Sequence, residues 1–319
     1  MTTLTERLEQ YIAVRRSLGY DLAFTARVLR RFAAFADREG ADHLTVDLFL
    51  RWKQAFGTAS NNTWSQRLCM VRAFAGWLLG HDARTEVPPP GLIAGKLRRG
   101  KPYIYSEAEV AGIVARAAKL PSRYGMRGWT CSTLFGLIAV TGLRISESIA
   151  LNDDDIDFDE SVITVRRGKN GTARYVPIAP SSIARLRAYR AERTRLLGWT
   201  PGPFFLMESG KRPTDCCVRY NFALVGQSLG LRELQLFCRH GRGPRIHDLR
   251  HTFVVRTIIG WYRKGLDPDR EMFKLSTYLG HTKPEFTYWY IEAVPELLQL
   301  ASRHAERTLA AGPSEGDGR

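Results

Sequence analysis

The sequence has 319 residues, a length that favours two domains over a single hydrophobic core. With 44% hydrophobic and 25% charged residues it has the composition of a folded globular protein, which excludes an intrinsically disordered chain. Lys and Arg total 47 against 32 for Asp and Glu, giving a formal net charge of +15. This surplus indicates a polyanionic partner such as nucleic acid, because Lys and Arg set against phosphates release condensed counterions. A basic surface kept for solubility is the alternative.

Three further features exclude other classes of protein. The sequence contains no run of about 18 apolar residues, so it predicts no membrane-spanning segment. The N-terminal segment MTTLTERLEQYIAVRRSLGY carries acids and an amphipathic pattern, which does not suit a secretory signal. The five cysteines are odd in number and form no CxxC pair, so neither a disulfide framework nor a structural zinc site is expected. A reducing cytoplasm is the compartment that fits these features.

The first predicted domain covers residues 1–84 and consists of four helices with short connections, which is typical of an antiparallel bundle. The third helix is expected to begin near Thr45, and the fourth after Asn61 or Asn62, which are good N-capping residues. Apolar residues recur at helical spacing in each helix. The predicted core positions are Leu4, Leu8, Tyr11, Ile12 and Leu18, then Leu29, Phe32, Phe35 and Ala36, then Leu48, Phe49 and Trp52, and finally Leu68, Val71, Phe74, Ala75 and Leu78.

A basic, proline-rich linker is predicted over residues 85–102. The sequence VPPPG at 87–91 cannot continue a helix, and the cations that follow it have no acid between them. A stiff, basic segment of this kind could cross a phosphate backbone, although a plain tether between domains would have the same composition. The predicted DNA-binding residues are Lys96, Arg98, Arg99 and Lys101.

A second domain is predicted over residues 103–309. Ser106 and Glu109 have the spacing of a capping box that opens a helix. Two β-rich runs, 161–166 and 173–178, flank the sequence GKNG and predict a hairpin. Helices are further predicted over 132–140, 180–196, 214–229, 247–264 and 294–309, and a disordered tail over 310–319.

Four short segments carry polar residues suited to chemistry on a phosphodiester. TGLRISESIAL places an arginine at the start of a helix and a glutamate one turn later, and GKNG puts a lysine in the hairpin turn. HDLRHTF places a histidine and an arginine three residues apart, and therefore on one face of a helix. LGHTKPEFTYWY holds a histidine and, nine residues later, a tyrosine. In chain order the candidate residues are Arg144, Glu147, Lys169, His247, Arg250, His281 and Tyr290.

Cleavage of a phosphodiester without a metal needs groups of these types. Arg144 and Arg250 can brace the two non-bridging oxygens, whose negative charge grows in the transition state. Tyr290 can act as a nucleophile that leaves a covalent link, although its ordinary pKa of about 10 requires help from cations or a base. Lys169 can protonate the leaving 5′ oxygen. The two histidines can donate to phosphate oxygens or hold the tyrosine in line.

Taken in order, these segments resemble the catalytic boxes of the tyrosine recombinases: the GLRxSE box, the hairpin lysine, the HxLRH box, and LGH followed by a tyrosine. The resemblance covers about 104–300, whereas residues 1–84 match the family's DNA-binding core-binding domain only in length and helical character. It implies a mainly α fold with a small antiparallel β-sheet (α+β), arranged as a two-domain, C-shaped DNA clamp. It also assigns roles: catalytic for Arg144, Lys169, His247, Arg250, His281 and Tyr290, and supporting for Glu147.

The resemblance further implies an activity. Tyr290 would attack the scissile phosphate, leaving a 3′-phosphotyrosine and a free 5′ hydroxyl, and a 5′ hydroxyl from the partner duplex would reverse the step. The protein link conserves the phosphodiester energy, so no cofactor, metal or ATP is expected. Strand exchange in this family runs through a Holliday junction within a tetramer. The expected partners are therefore double-stranded DNA with paired sites and further copies of this chain, alone or together with other recombinases. The C-terminal sequence is closer to recombinases carried by transposable elements than to phage integrases.

Alternatives remain open from the sequence. A type IB topoisomerase would use the same chemistry but reseal the same strand, and a non-catalytic accessory subunit of a multi-recombinase element would only bind DNA. His247 and His251 have the spacing of a zinc pair, but they lack the glutamate of HExxH and flank a cation, so His251 is expected to be a packed or capping histidine. Tyr288 competes with the nucleophile but should face the core or a partner, since residues two apart point to different sides of a helix.

Overall fold

The computed structural model of the chain describes residues 3–95, 101–166, 173–198, 202–234, 243–280 and 285–310. The chain divides into two compact units, Met1–Gly100 and Lys101–Arg319. The described residues form thirteen α-helices and one three-stranded antiparallel sheet. The prediction of a mainly helical fold with a small antiparallel sheet is confirmed.

The first unit is a bundle of four helices around an aromatic core. The rings of Trp52 and Trp64 meet edge to face with centroids 5.2 Å apart, an arrangement that aromatic pairs prefer. Every predicted core position of the bundle is buried except Leu18, which is 66% exposed. The prediction for Leu18 is wrong because the first helix ends at Ser17, so the helical periodicity does not extend to it. The helices are α1 (Leu4–Ser17), α2 (Ala23–Arg38), α3 (Val46–Ala55) and α4 (Asn61–Leu79).

The start of α4 differs from the prediction by a residue or two. The hydroxyl of Ser60 accepts a hydrogen bond from the backbone N–H of Thr63 at 3.3 Å, so Ser60 is the N-cap. Asn61 is already the first helical residue. A serine hydroxyl satisfies the free N–H groups of a helix start as well as asparagine does, and the sequence alone does not separate neighbouring capping candidates.

The proline-containing segment that follows α4 packs on the bundle as far as Gly95. Thr85 and Ile93 are buried. Nε of Arg72 on α4 donates a hydrogen bond to the carbonyl oxygen of Pro88 at 2.6 Å. Residues 85–95 of the predicted linker therefore belong to the packing of the first unit.

The second unit holds nine of the helices described. Those predicted over 132–140, 180–196, 214–229, 247–264 and 294–309 correspond to α6, α8, α9, α10 and α13, whereas α11 has no counterpart in the prediction. The predicted tail lies outside the described residues apart from Ala310. The helices are α5 (Glu107–Ala118), α6 (Met126–Thr141), α7 (Ile145–Ala150), α8 (Pro180–Leu197), α9 (Asp215–Ser228), α10 (Ile246–Lys264), α11 (Pro268–Leu279), α12 (Glu285–Ala293) and α13 (Pro295–Ala310).

The sheet lies between α7 and α8 in the chain and has the strand order β1-β2-β3. Its strands are β1 (Ile156–Asp157), β2 (Val162–Val165) and β3 (Arg174–Pro177). In the pairing of β2 with β3, Ile163 lies opposite Val176, and both are fully buried. This pairing confirms the strands of the predicted hairpin, while its turn, residues 167–172, lies outside the described residues. The short strand β1 was not predicted.

Candidate active site

Arg144 lies where α6 gives way to α7. The backbone of Gly142 is left-handed (φ 64°), which ends α6 and turns the chain, and Arg144 becomes the N-cap residue of α7. Its backbone N–H donates to Oε2 of Glu147 at 2.9 Å, and its Nη1 donates to Oε1 at 2.7 Å. Glu147 is 3% exposed, so a buried carboxylate holds both the backbone and the guanidinium of Arg144.

Arg174 on β3 is a further member of this cluster, and the sequence did not single it out. Its Nη1 and Nη2 donate to Oε1 and Oε2 of Glu147 at 3.0 and 2.8 Å, and its Nε donates to the carbonyl oxygen of Tyr278 at 2.7 Å. Burial by itself would raise the pKa of Glu147. The hydrogen bonds and charges of Arg174 and Arg144 outweigh that effect and lower the pKa to about 2. Glu147 is therefore ionised at neutral pH.

Arg250 on α10 lies beside Arg144 and is 2% exposed. Its Nη1 donates to the carbonyl oxygen of Gly142 at 2.6 Å, and its Nη2 donates to that of Leu279 at 3.0 Å. Arg144 reaches the same end of α11, with 3.4 Å from Nη1 to the carbonyl oxygen of Leu279 and 3.4 Å from Nη2 to that of Gly280. Burial, and then repulsion by Arg144, lower the pKa of Arg250 to about 10, so the guanidinium stays protonated at neutral pH.

His247 lies one turn before Arg250 on α10. The residue as a whole is exposed, but its ring packs edge to face against the ring of His251. This partial burial, followed by repulsion from Arg250 and Arg144, lowers the pKa of His247 to about 4. The imidazole is therefore neutral at pH 7 in the absence of a ligand, and a phosphate placed beside it would favour the protonated form.

Tyr290 on α12 is 3% exposed and lies close enough to Arg250 for their charges to interact. Tyr288 points elsewhere: it is 39% exposed, and its hydroxyl donates to Oδ1 of Asp269 at 2.9 Å. Of the two hydroxyls in this segment, the structure thus brings that of Tyr290 towards Arg250. Tyr288 does not face the core of the unit.

His251 on α10 contacts the hydroxyl of Tyr290, with 2.7 Å between Nδ1 and the hydroxyl oxygen. The sequence predicts a packed or capping role for His251 and gives no sign of this contact. The HxLRH segment did contain a signal, since residues 247 and 251 lie on one helix face, but the partner 39 residues further on could not be inferred from spacing.

The family model described as the phage integrase family matches residues 107–296, which include every residue of the cluster described above. The chain belongs to the phage integrase family, the tyrosine recombinases. It is therefore an enzyme of site-specific DNA recombination.

Two relatives resemble the recombinase over nearly its whole length. The integrase/recombinase y4rB of Sinorhizobium fredii is 37% identical over 312 residues, 96% of this chain and 98% of the relative. The tyrosine recombinase XerD of Caulobacter vibrioides is 29% identical over 299 residues, 91% of this chain and 92% of the relative. The resemblance therefore includes the N-terminal bundle, which the family model does not match.

A solved structure resembles the recombinase in fold. The Tn1549 transposon integrase, in complex with transposon right end DNA, matches with a TM-score of 0.65 over 96% of this chain and 99% of that chain. The identity is 17%, so this likeness concerns the fold alone.

Several of the predicted site residues lie outside the described part of the recombinase. The segment that carries Lys169 leaves the sheet at the pair formed by Val165 and Arg174. His281 directly follows Gly280, whose carbonyl oxygen contacts Arg144. Of the predicted DNA-binding residues Lys101 is exposed. The predicted residues outside the described ranges are Lys96, Arg98, Arg99, Lys169 and His281.

The described residues contain neither a cluster suited to a metal ion nor a helix suited to crossing a membrane. Within those ranges no group of three or more His, Cys, Asp or Glu side chains is arranged to hold a metal ion. The rings of His247 and His251 meet edge to face with centroids 4.6 Å apart. No helix in the described part of the recombinase has the length and apolar character needed to cross a membrane.

Proposed function

We propose that the recombinase cleaves and rejoins DNA through a 3′-phosphotyrosine formed on Tyr290, without metal or ATP. The observation that supports this most directly is the convergence of two guanidiniums beside one buried tyrosine. Arg144 and Arg250 both reach the carbonyl oxygen of Leu279, and Tyr290 is near enough to Arg250 for their charges to interact. A phosphate bound to both arginines would lie within reach of that hydroxyl.

The arginines supply the charge that a metal ion would otherwise provide. Each guanidinium is a rigid fork with several donors, and carbonyl oxygens use only part of this capacity. Donors fixed before the substrate arrives stabilise the growing charge on the phosphate oxygens without further reorganisation. Under this proposal Glu147 and Arg174 hold Arg144 in place, because the carboxylate binds both arginines.

The remaining groups handle protons and position. The oxygen of Tyr290 forms a bond to phosphorus while the bond to the 5′ oxygen breaks. Lys169, in the segment that leaves the sheet next to Arg174, gives the leaving oxygen its proton. His247 and His281 donate to phosphate oxygens. In rejoining, a 5′ hydroxyl from the partner duplex attacks the phosphotyrosine and the same steps run backwards.

The partner proposed is double-stranded DNA that carries paired recombination sites. Four copies of the chain, alone or with other recombinases, would exchange strands through a Holliday junction. The net charge of +15 favours a phosphate backbone as the ligand. Within the chain we propose a DNA-binding bundle over 1–84, a linker over 85–102 and a catalytic domain over 103–309. Phosphate contacts in the linker are proposed for Lys96, Arg98, Arg99 and Lys101.

Covalent trapping on nicked DNA tests this function. Duplexes taken from the DNA that flanks the gene, each nicked near an inverted repeat, should give a protein–DNA adduct that survives SDS. Because arginines replace the metal, the adduct should form at the same rate in excess EDTA as in magnesium. An absolute requirement for magnesium would overturn the mechanism. Binding without any adduct would favour the accessory-subunit alternative, and relaxation of supercoils without strand exchange would favour a topoisomerase.

Lys169→Ala should slow cleavage of ordinary DNA by about 10²–10⁴-fold, the usual contribution of a general acid. A substrate with sulfur at the bridging 5′ position should restore most of the rate, because a thiolate leaves without a proton. The measurement is single-turnover adduct formation on both substrates, and Lys119→Ala, an exposed lysine on the surface of the second unit, is the matched control. If the sulfur substrate brings no recovery, Lys169 positions the DNA or another group is the acid.

A further inference from the structure

The contact between His251 and Tyr290 joins two helices at the centre of the proposed site. Nδ1 of His251, on α10, lies 2.7 Å from the hydroxyl oxygen of Tyr290, on α12. This is the distance of a short hydrogen bond between an imidazole and a phenol. His251 is therefore in direct contact with the atom that would attack phosphorus.

The charge next to the other nitrogen of the ring favours one direction for this hydrogen bond. Nε2 of His251 faces Oδ1 of Asp248 at 3.9 Å. That distance is beyond hydrogen-bond range, so the carboxylate acts through its charge or through a bridging water. Either way it favours a proton on Nε2, which leaves Nδ1 unprotonated. The hydroxyl of Tyr290 then donates to Nδ1. The order of the three side chains, carboxylate, imidazole and hydroxyl, is that of a catalytic triad.

The surroundings of these three side chains make a protein base necessary. The side chain of His251 is 14% exposed and Tyr290 is 3% exposed, so bulk water has little access to the phenolic proton. An ordinary tyrosine, with a pKa of about 10, is almost wholly protonated at neutral pH. Nearby Arg250 stabilises a phenolate, and the carboxylate of Asp248 offsets the charge that His251 gains. Among the described residues, His247 is a further titratable group that faces the ring, which it meets edge to face.

We infer that His251 is the proton acceptor for Tyr290 in cleavage and returns the same proton in rejoining, an inference that rests on the proposed function. In cleavage the Tyr290 oxygen bonds to phosphorus and its proton passes to Nδ1 of His251. The bond from phosphorus to the 5′ oxygen breaks, and that oxygen takes a proton from Lys169. In rejoining, the incoming 5′ hydroxyl gives its proton to Lys169 and attacks phosphorus. The bond to Tyr290 breaks, and His251 gives its proton back to the phenolate.

A base and a packing residue respond differently to the acidity of the phenol. His251→Gln keeps a hydrogen-bonding group of similar size but cannot accept a proton at neutral pH. Placing 3,5-difluorotyrosine at position 290 makes the phenol more acidic with little change in shape, so that less help from a base is needed. In the full-length protein, histidine or glutamine at position 251 is combined with tyrosine or difluorotyrosine at position 290. These four proteins react with the nicked duplex of the trapping assay. Adduct formation is followed in single turnover across a range of pH.

With natural tyrosine, His251→Gln should slow adduct formation by on the order of 100-fold or more near pH 7, and the loss should shrink as the pH rises. With difluorotyrosine most of that loss should disappear. His247→Gln is the matched comparison on the same helix face: its defect should persist with difluorotyrosine, because a phosphate donor is needed whatever the acidity of the phenol. DNA affinity, measured in parallel, reports whether each variant is folded. His251→Asn provides a second variant of the same residue.

Two results would overturn the inference. One is a wild-type rate in folded His251→Gln. The other is a defect of equal size with both tyrosines and at every pH, since that pattern belongs to a residue that only packs. A failure of the proposed function looks different, because the unsubstituted protein would then form no adduct at all, and the inference would fall with it.

Discussion

Tyr290→Phe is expected to abolish the covalent protein–DNA adduct while leaving DNA affinity nearly unchanged. The substitution removes one buried hydroxyl and its hydrogen bond to His251, a loss of about 0.5–1.5 kcal/mol in folding stability, so the protein should remain folded. Without that oxygen there is no nucleophile among the groups of the site that could leave a phosphotyrosine. The measurement is SDS-resistant adduct on a nicked duplex, beside DNA binding in a gel-shift assay.

Tyr288→Phe is the matched control for this experiment. It removes the same hydroxyl group two residues away, where it donates to Asp269 at the surface. This variant should form the adduct at the wild-type rate. An adduct that persists in Tyr290→Phe, or that maps to Tyr288 by peptide sequencing, would show that the nucleophile has been assigned to the wrong residue.

Arg250→Lys should slow cleavage by about 10²–10³-fold, the usual effect of removing one preorganised donor from a transition state. Lysine keeps the positive charge but has no planar fork, so it cannot hold the carbonyl oxygens of Gly142 and Leu279 and still donate to a phosphate. DNA affinity depends on many phosphate contacts and should fall much less. The rate of adduct formation, compared with the dissociation constant for the same duplex, separates the two effects.

Arg263→Lys provides the control for the conservative change itself. Arg263 lies on the same helix but is exposed and pairs with Glu296 at the surface. This variant should cleave normally, because an exposed ion pair contributes little to stability or catalysis. If Arg250→Lys also cleaved at the wild-type rate, Arg250 would not contact the scissile phosphate.

The helices of this protein could be predicted where apolar spacing is long and regular. In the first bundle Phe32 and Trp52 continue a helical pattern and are buried, whereas Leu18 continues the same pattern past the end of its helix and is exposed. Periodicity indicates which residues share a face of a helix, but the end of a helix depends on capping groups. The neighbouring candidates Ser60 and Asn61 at the start of α4 illustrate the same limit.

The site could be predicted only where its residues stand in short, ordered motifs. Arg144 and Glu147 are three residues apart, and their contact follows from helical geometry. Arg174 and His251 could not be predicted as members of the site, because their partners are distant in the chain. Arg174 binds Glu147 27 residues earlier, and His251 binds Tyr290 39 residues later. Nothing local distinguishes an arginine on an edge strand that faces solvent from one that closes a buried ion cluster.

The two guanidiniums of the site are anchored on the last carbonyl oxygens of α11, and this has a consequence for biosynthesis. A ribosome that has released the chain only through α10 has made both Arg144 and Arg250, but not Leu279, Gly280 or Tyr290. The two arginines then lack their shared acceptor at Leu279, although Glu147 and Gly142 are already present, and the tyrosine proposed as nucleophile has not been made. Since domains generally fold as units and from the N-terminus during synthesis, the bundle can complete its folding before the last residues of the site are made. An unfinished chain that ends at α10 is therefore expected to carry a folded bundle without a site able to form the proposed adduct.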